Sequence, residues 1–320
     1  MTKPQVSGVS IVEIGDARSR YADDAPEGTG ASAANTLDPV ERIVTLAGGT
    51  QLCIDEFGAV GAPLILQVEG HMAQLVSTPV SYCERLAELG FRVVRVDNRD
   101  VGHSTRFPGV DYRLSDMADD LHRLLETLGA PAVVCGRSMG GAIAQLLALR
   151  HPQDVLGLGL FYTYAKSLEI HGHSEPAPIT PAPFSDERSF LIWQRTSLPA
   201  IAGSRHPYPP GYVEWLARTM WQRGVDWEGF ERQRRAMGFE PPWAEGLAAV
   251  RVPTVIVHGD EDPVVPVEAG RRLHALLAGS DLRIIEGLGH QQPDDLNDVF
   301  VQATLHAAGH ALPGTSAVTA

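Results

Sequence analysis

Positive charge, cysteine and long apolar runs are all scarce in this chain of 320 residues. Lys and Arg together number 26 against 39 Asp and Glu, a formal net charge of -13, and only Lys3 and Lys166 are lysine. Nucleic acid and anionic membrane surfaces both demand a basic face, so neither is an expected partner. Cys53, Cys83 and Cys135 are too few and too scattered for a disulfide framework or a zinc site. Each sits in a stretch patterned as strand or amphipathic helix, where a buried free thiol is the usual occupant. An odd, unpaired count suits a reducing compartment. The longest nearly unbroken apolar run, Val155 to Ala165, is about half of what a spanning helix requires. Met1 to Arg20 lacks the continuous apolar core of a secretory signal. A soluble, cytoplasmic protein is expected.

What is present is ordinary globular composition, 44% apolar and 20% charged, at a length that suits two small domains or one large α/β domain with an insertion. Residues 1–40, rich in Ala, Ser, Thr, Gly and Asp, read as a flexible extension. From about residue 41, β-branched runs alternate with helix-period segments. Leu64 to Val68 and Phe91 to Val96 read as buried strands, and Val80 to Leu89 as the helix between them, closed by Gly90. The same alternation predicts helix over Met117–Leu128, strand over Ala132–Cys135, helix over Ala142–Arg150 and strand over Val155–Tyr162. It lapses through a Pro-rich interval and resumes with strand Pro253–His258, helix Ala269–Leu277, strand Leu282–Ile285 and helix Leu296–His306. Repeated βα units imply a mainly parallel sheet flanked by helices. The core then spans residues 41–164 and 246–312, and residues 165–245 form a cap inserted into it.

The strand Val133-Val134-Cys135 runs into Gly136-Arg137-Ser138-Met139-Gly140-Gly141, and a helix follows at once. This is G-x-S-x-G in a strand–turn–helix context. Glycines at these places let strand and helix approach while the turn thrusts the serine above the sheet at a helix N-terminus. After the strand Val255-Ile256-Val257 come Asp260, Glu261 and Asp262. A carboxylate beyond a strand's C-terminal end can orient a base, and Asp262, just before Pro263, is preferred over Asp260 and Glu261. The next strand leads into Glu286-Gly287-Leu288-Gly289-His290, whose histidine can reach a serine on a neighbouring strand end. The order Ser138, Asp262, His290 is the one this kind of sheet requires.

On these motifs residues 41–310 resemble the α/β-hydrolase superfamily, with a mostly parallel sheet of about eight strands and a helical cap. The segment Val96 to Thr105, with its Asn98-Arg99-Asp100 core, is similar to the aclacinomycin methylesterase-like branch, which removes methyl esters from polyketides. The resemblance implies Ser138 as nucleophile, His290 as base and Asp262 as orienting acid. Many members carry His-Gly after the third strand; here the stretch is Val68-Glu69-Gly70-His71-Met72. Gly70 aligns, so the His71 N–H completes an oxyanion hole beside the Met139 N–H, with Met72 as the alternative register. The His71 side chain then lies near the pocket, binding substrate or hydrogen-bonding Glu69.

All five tryptophans fall between residues 165 and 245, as do 11 of the 21 Phe, Tyr and Trp. Most must pack the cap; the remainder, with Trp193 and Trp215 as candidates beside Gly70 and Met72, would line a pocket for a bulky, ring-containing group. His171-Gly172-His173 has the composition of a metal clamp but lacks a nearby carboxylate pair, and Arg232-Gln233-Arg234-Arg235 reads as a solvated helix face. No metal or cofactor is expected. The expected activity is hydrolysis of a small apolar or aromatic ester by a monomer or homodimer. Cleavage of a C–C bond on the same triad, and low-turnover binding, are the rival readings.

Overall fold

Strand-forming runs and helix-period segments alternate, in the computed structural model, to build a nine-stranded sheet covered on both faces. The structure describes residues 12–16, 39–167 and 179–309. The strands are β1 (Val12–Asp16), β2 (Val40–Thr45), β3 (Gln51–Phe57), β4 (Leu64–Val68), β5 (Arg92–Val96), β6 (Ala132–Arg137), β7 (Val155–Phe161), β8 (Thr254–Gly259) and β9 (Asp281–Ile285). Their spatial order is β1-β2-β3-β5-β4-β6-β7-β8-β9. Pairing is antiparallel from β1 through β3 to β5 and parallel from there to β9.

The helices of the core are α1 (Val80–Glu88), α2 (Leu114–Leu128), α3 (Met139–Arg150), α7 (Val267–Leu276) and α8 (Asn297–Ala307). Strand alternation sorts side chains between the two faces. Leu64, Leu66 and Val68 of β4 join α2 and α3 in one apolar cluster. Ile65 of the same strand packs with Tyr82, Cys83 and Leu86 of α1 and Phe300 of α8 on the other. All three cysteines are free and buried. Among the described residues no helix is long and apolar enough to cross a membrane.

The antiparallel β2–β3 hairpin carries no regular sequence alternation and was not legible as two strands. Its turn is set by Gly48 and Gly49, whose φ of 99° and 89° lie in the left-handed region. Within the stretch read as an extension, Val12–Asp16 pairs with β2 as an edge strand; residues 1–11 and 17–38 lie outside the described residues, as does His171-Gly172-His173.

The cap contributes α4 (Glu187–Ile201), α5 (Tyr212–Gln222) and α6 (Trp227–Phe239). Asp186 caps α4 by accepting from the Ser189 N–H at 2.8 Å. Phe184, Phe190, Trp193, Trp221 and Trp227 form a ring cluster with centroids 4.9 to 6.4 Å apart, which supplies the apolar core a small domain needs.

The helix face at 232–235 is not solvated, contrary to its sequence reading. Arg232 and Gln233 are buried. Arg232 donates to both carboxylate oxygens of Asp100, at 3.1 and 2.8 Å. The two outer arginines are paired with Glu231 and Asp111. A charged helix stretch looks solvated whenever its acidic partners come from a remote loop.

Candidate active site

Ser138 stands between the end of β6 and the first residue of α3, with φ 51° and ψ -121°. A non-glycine residue in that region carries strain of order 1–3 kcal/mol, tolerated where the surroundings over-determine it. Here the Ser138 N–H donates to Phe161 O at 3.0 Å, and its carbonyl accepts from the Gly141 N–H at 3.0 Å and from the Thr163 hydroxyl. A Cβ on Gly140 would land on the Val68 carbonyl oxygen, so only glycine lets α3 sit this close to β4. The Met139 N–H opens the helix beside Ser138, where backbone donors favour negative charge.

Gly70 faces the serine from the end of β4: a Cβ there would lie 3.1 Å from Ser138 Cβ and 3.3 Å from Arg137 O. Gly70 to Ala73 form a turn, closed by Ala73 N–H to Gly70 O at 3.4 Å, with Met72 at φ 67°. The Met72 N–H donates to Gln233 Oε1 at 3.0 Å, and Gln233 Nε2 donates to Arg99 O at 2.9 Å. One cap side chain therefore clamps both the turn after β4 and the loop after β5. The His71 ring does not bond Glu69. Its Nε2–H donates to Phe230 O of α6 at 2.7 Å, and burial pushes its pKa below the ordinary histidine value. Glu69 instead accepts from the Thr78 hydroxyl and lies 3.8 Å from Arg137 Nη1.

His290 follows β9, and its Nδ1–H donates to Asp262 Oδ2 at 2.7 Å. The other oxygen of Asp262 accepts from the Val264 and Val265 N–H groups, both at 2.8 Å. Asp260 and Glu261 are engaged elsewhere, on the Gly287 N–H and on Ser204. The Tyr162 ring meets the His290 ring edge-on at 4.8 Å. With Nδ1 committed to a carboxylate, His290 presents a bare Nε2 able to accept a proton.

His258, at the end of β8, carries no sequence signal of its own. It is fully buried and donates from Nε2 to Val265 O at 2.8 Å, with Asp262 Oδ2 at 3.5 Å. It thus props the loop that carries Asp262. Burial pushes its pKa below the ordinary value, so its stabilising contribution is full above about pH 6.5 and is lost as pH falls toward the native pKa. Urea titrations of the wild type between pH 7 and 5 should show stability falling by up to about 1.4 kcal/mol per pH unit from this group. The His258→Gln variant should lack that component of the slope.

Two cavities meet at Ser138. The larger, about 750 Å³, is lined by Tyr164, Met237, Val265, Pro266, Ala269 and Leu273, with Lys166, Glu268 and Arg272 as its charged members. The smaller, about 150 Å³, contains His290, Tyr162, Tyr208, Tyr212, Leu198 and Ile201. Ser138 and His71 line both, and Gly70 the smaller. Trp193 and Trp215 line neither; they pack in a separate apolar cluster that joins α4 and α5 to Cys53, Leu75 and Val76. Of the aromatics in residues 165–245, Tyr208 and Tyr212 reach the wall of the smaller cavity, and the two tryptophan candidates do not.

Behind the serine lies a residue that no motif marks as functional. Arg137 is buried, with Nε donating to Gln292 Oε1 at 2.8 Å and Nη1 to Gln67 Oε1 at 3.0 Å. The rings of Tyr82 and Phe161 both lie 5.5 Å from its guanidinium carbon. Its place as the first x of G-x-S-x-G was the one available signal.

Residues 77–295 match the family model for the alpha/beta hydrolase fold. The chain is 28% identical over 260 residues to the rhodomycin D methylesterase DauP of Streptomyces sp. (strain C5), covering 72% of this chain and 86% of that one. It is 27% identical over 288 residues to the 2-hydroxy-6-oxo-2,4-heptadienoate hydrolase of Pseudomonas putida, covering 84% and 96%. Among solved structures, a hydrolase from Pseudomonas aeruginosa PA01 superposes with a TM-score of 0.64 at 23% identity, covering 87% of this chain and all of that one. The family match spans more than half of the chain, which therefore belongs to the α/β-hydrolase fold family and is a hydrolytic enzyme.

Proposed function

We propose that the protein hydrolyses carboxylic esters through an acyl-enzyme on Ser138. The observation that carries this reading is the convergence of Ser138 and His290 on one small cavity, with His290 Nδ1–H held by Asp262 at 2.7 Å. His290 Nε2 takes the hydroxyl proton as Ser138 Oγ attacks the ester carbonyl carbon. The resulting oxyanion is held by the N–H groups of His71 and Met139. Commitment of the Met72 N–H to Gln233 favours the His71 register. His290 returns its proton to the departing alkoxide, and water deprotonated by His290 then releases the acid from Ser138. Asp262 keeps the imidazole oriented and balances its charge.

The two cavities support a finer reading. The group that leaves is protonated by His290 and therefore departs on the side where His290 lies. That side is the 150 Å³ cavity, about the space a benzene ring fills. The acyl group then occupies the 750 Å³ cavity, which has room for several fused rings. The favoured substrate is an ester of a bulky, largely apolar acid with a small alcohol such as methanol, as in the methylesterase relative.

For one bulky aromatic acid, the methyl ester should exceed the ester of a fused-ring alcohol in kcat/KM by about 10- to 100-fold, from the 1–3 kcal/mol that overfilling a site costs. The same preference reversed would overturn the cavity assignment. The similarity to a hydrolase of a 2-hydroxy-6-oxo dienoate favours C–C bond cleavage as the second reading. Mass spectrometry of the products decides between them: release of the alcohol supports the ester, and a cleaved carbon skeleton the alternative.

A further inference from the structure

Away from the active site, His122 of α2 and His151, which follows α3, stack face to face with ring centroids 3.9 Å apart and planes within 5°. Each ring is held by its own carboxylate. His122 Nδ1 lies 2.6 Å from Asp154 Oδ2, and His151 Nε2 lies 2.8 Å from Asp119 Oδ1. Glu126 Oε1 stands 3.7 Å from His122 Nε2, and Arg150 is bonded to Asp119 at 3.0 and 2.7 Å. The two rings with Asp119 and Asp154 lie in a half-buried seam between α2, the end of α3 and the turn before β7, with Glu126 and Arg150 exposed at its rim.

We infer that His122, His151 and Asp154 form a binding site for a divalent transition-metal ion of the zinc type. One potential ligand atom from each of the three lies within 4.8 Å of the other two. A zinc ion with Zn–N and Zn–O bonds of about 2.0–2.2 Å needs its ligand atoms roughly 3.3–3.5 Å apart. The ion would take the place of the proton shared by His122 and Asp154, which must part by under about an ångström, while the His151 ring swings inward. Two imidazoles and a carboxylate are the donors such ions prefer, whereas Mg²⁺ and Ca²⁺ seek oxygen alone.

The local charge points the same way. With neutral imidazoles, Asp119, Asp154 and Glu126 carry three negative charges against the single positive charge of Arg150. A dication neutralises the remainder. Asp119 then serves as the outer carboxylate that fixes the His151 ring, a common second partner of metal-bound histidine. The other mixed cluster, Glu41, Cys53 and His103, does not suit an ion, because Arg223 already donates to Glu41 at 2.8 Å.

The test is calorimetric titration of the chelator-treated full-length chain with Zn²⁺, alongside thermal unfolding with and without the ion. The wild type should bind Zn²⁺ and gain in Tm. His122→Ala and Asp154→Asn should each weaken that binding by about 10- to 100-fold and lose the Tm gain. Their ester turnover and far-UV circular dichroism should match the wild type, which separates this seam from any binding at His290. If His122→Ala fails to fold, His151→Gln makes the same comparison. No Zn²⁺ binding by the wild type, or wild-type binding in the variants, overturns the proposal.

Discussion

Ser138→Ala should abolish labelling by a fluorophosphonate and lower turnover of a small aryl ester by about five to six orders of magnitude, as loss of a triad nucleophile does. The expectation follows from geometry that offers no substitute. Ser138 is the residue thrust out by the strained turn between β6 and α3, and the nearest threonine, Thr163, is engaged with the Ser138 carbonyl. The variant should keep the wild-type Tm or gain slightly, because alanine loses nothing that holds the turn: its bonds run from the backbone N–H and carbonyl. Labelling that survives in Ser138→Ala would end the serine-hydrolase reading. Labelling lost along with the fold, seen as a collapsed melting transition, would move the effect to structure, and Ser138→Cys then separates the two.

Arg137→Met should be the most destabilising single change near the site, at about 3–5 kcal/mol. The guanidinium is buried between Tyr82 and Phe161 and donates to Gln67 and Gln292. Removing it strands the Glu69 carboxylate, 3.8 Å away and equally buried, without a counter-charge. Urea unfolding should report the loss directly. Adding Glu69→Gln to Arg137→Met should restore part of the stability, since it removes the stranded charge. A double variant less stable than the single would mean that Arg137 acts through packing and not through Glu69.

Sequence and structure agree where short-range backbone chemistry decides the matter. The elbow at 136–141 is a local steric problem with a glycine solution, and Asp262 and His290 stand three and five residues past the ends of β8 and β9, so the place of each in the fold is legible from the strand that precedes it. What escaped notice depends on residues far apart in the chain. Gln233 reaches Met72 and Arg99 across more than 130 positions, and Arg232 reaches Asp100 likewise. No period or motif encodes such pairs. The tryptophans misled in a particular way: composition says that a cap must have a core but not which of its faces looks inward, and Trp193 and Trp215 turned to that core. Arg137 was hidden because arginine beside a motif reads as exposed unless the acid, amides and rings that house it are known.

The clamp formed by Gln233 has a meaning for how such caps can be exchanged. Asp97 and Asp100 of the β5 loop are ion-paired to Arg223 and Arg232 of the cap, and the turn bearing His71 is tied to Gln233. The cap is thus a part of the scaffold that shapes the turn bearing His71, and its inner face is written in the same few contacts as the loops after β4 and β5. A chimera that takes its pocket from a relative must bring these three side chains, or their loop partners, with it. Otherwise it acquires a new specificity on a turn no longer held in place.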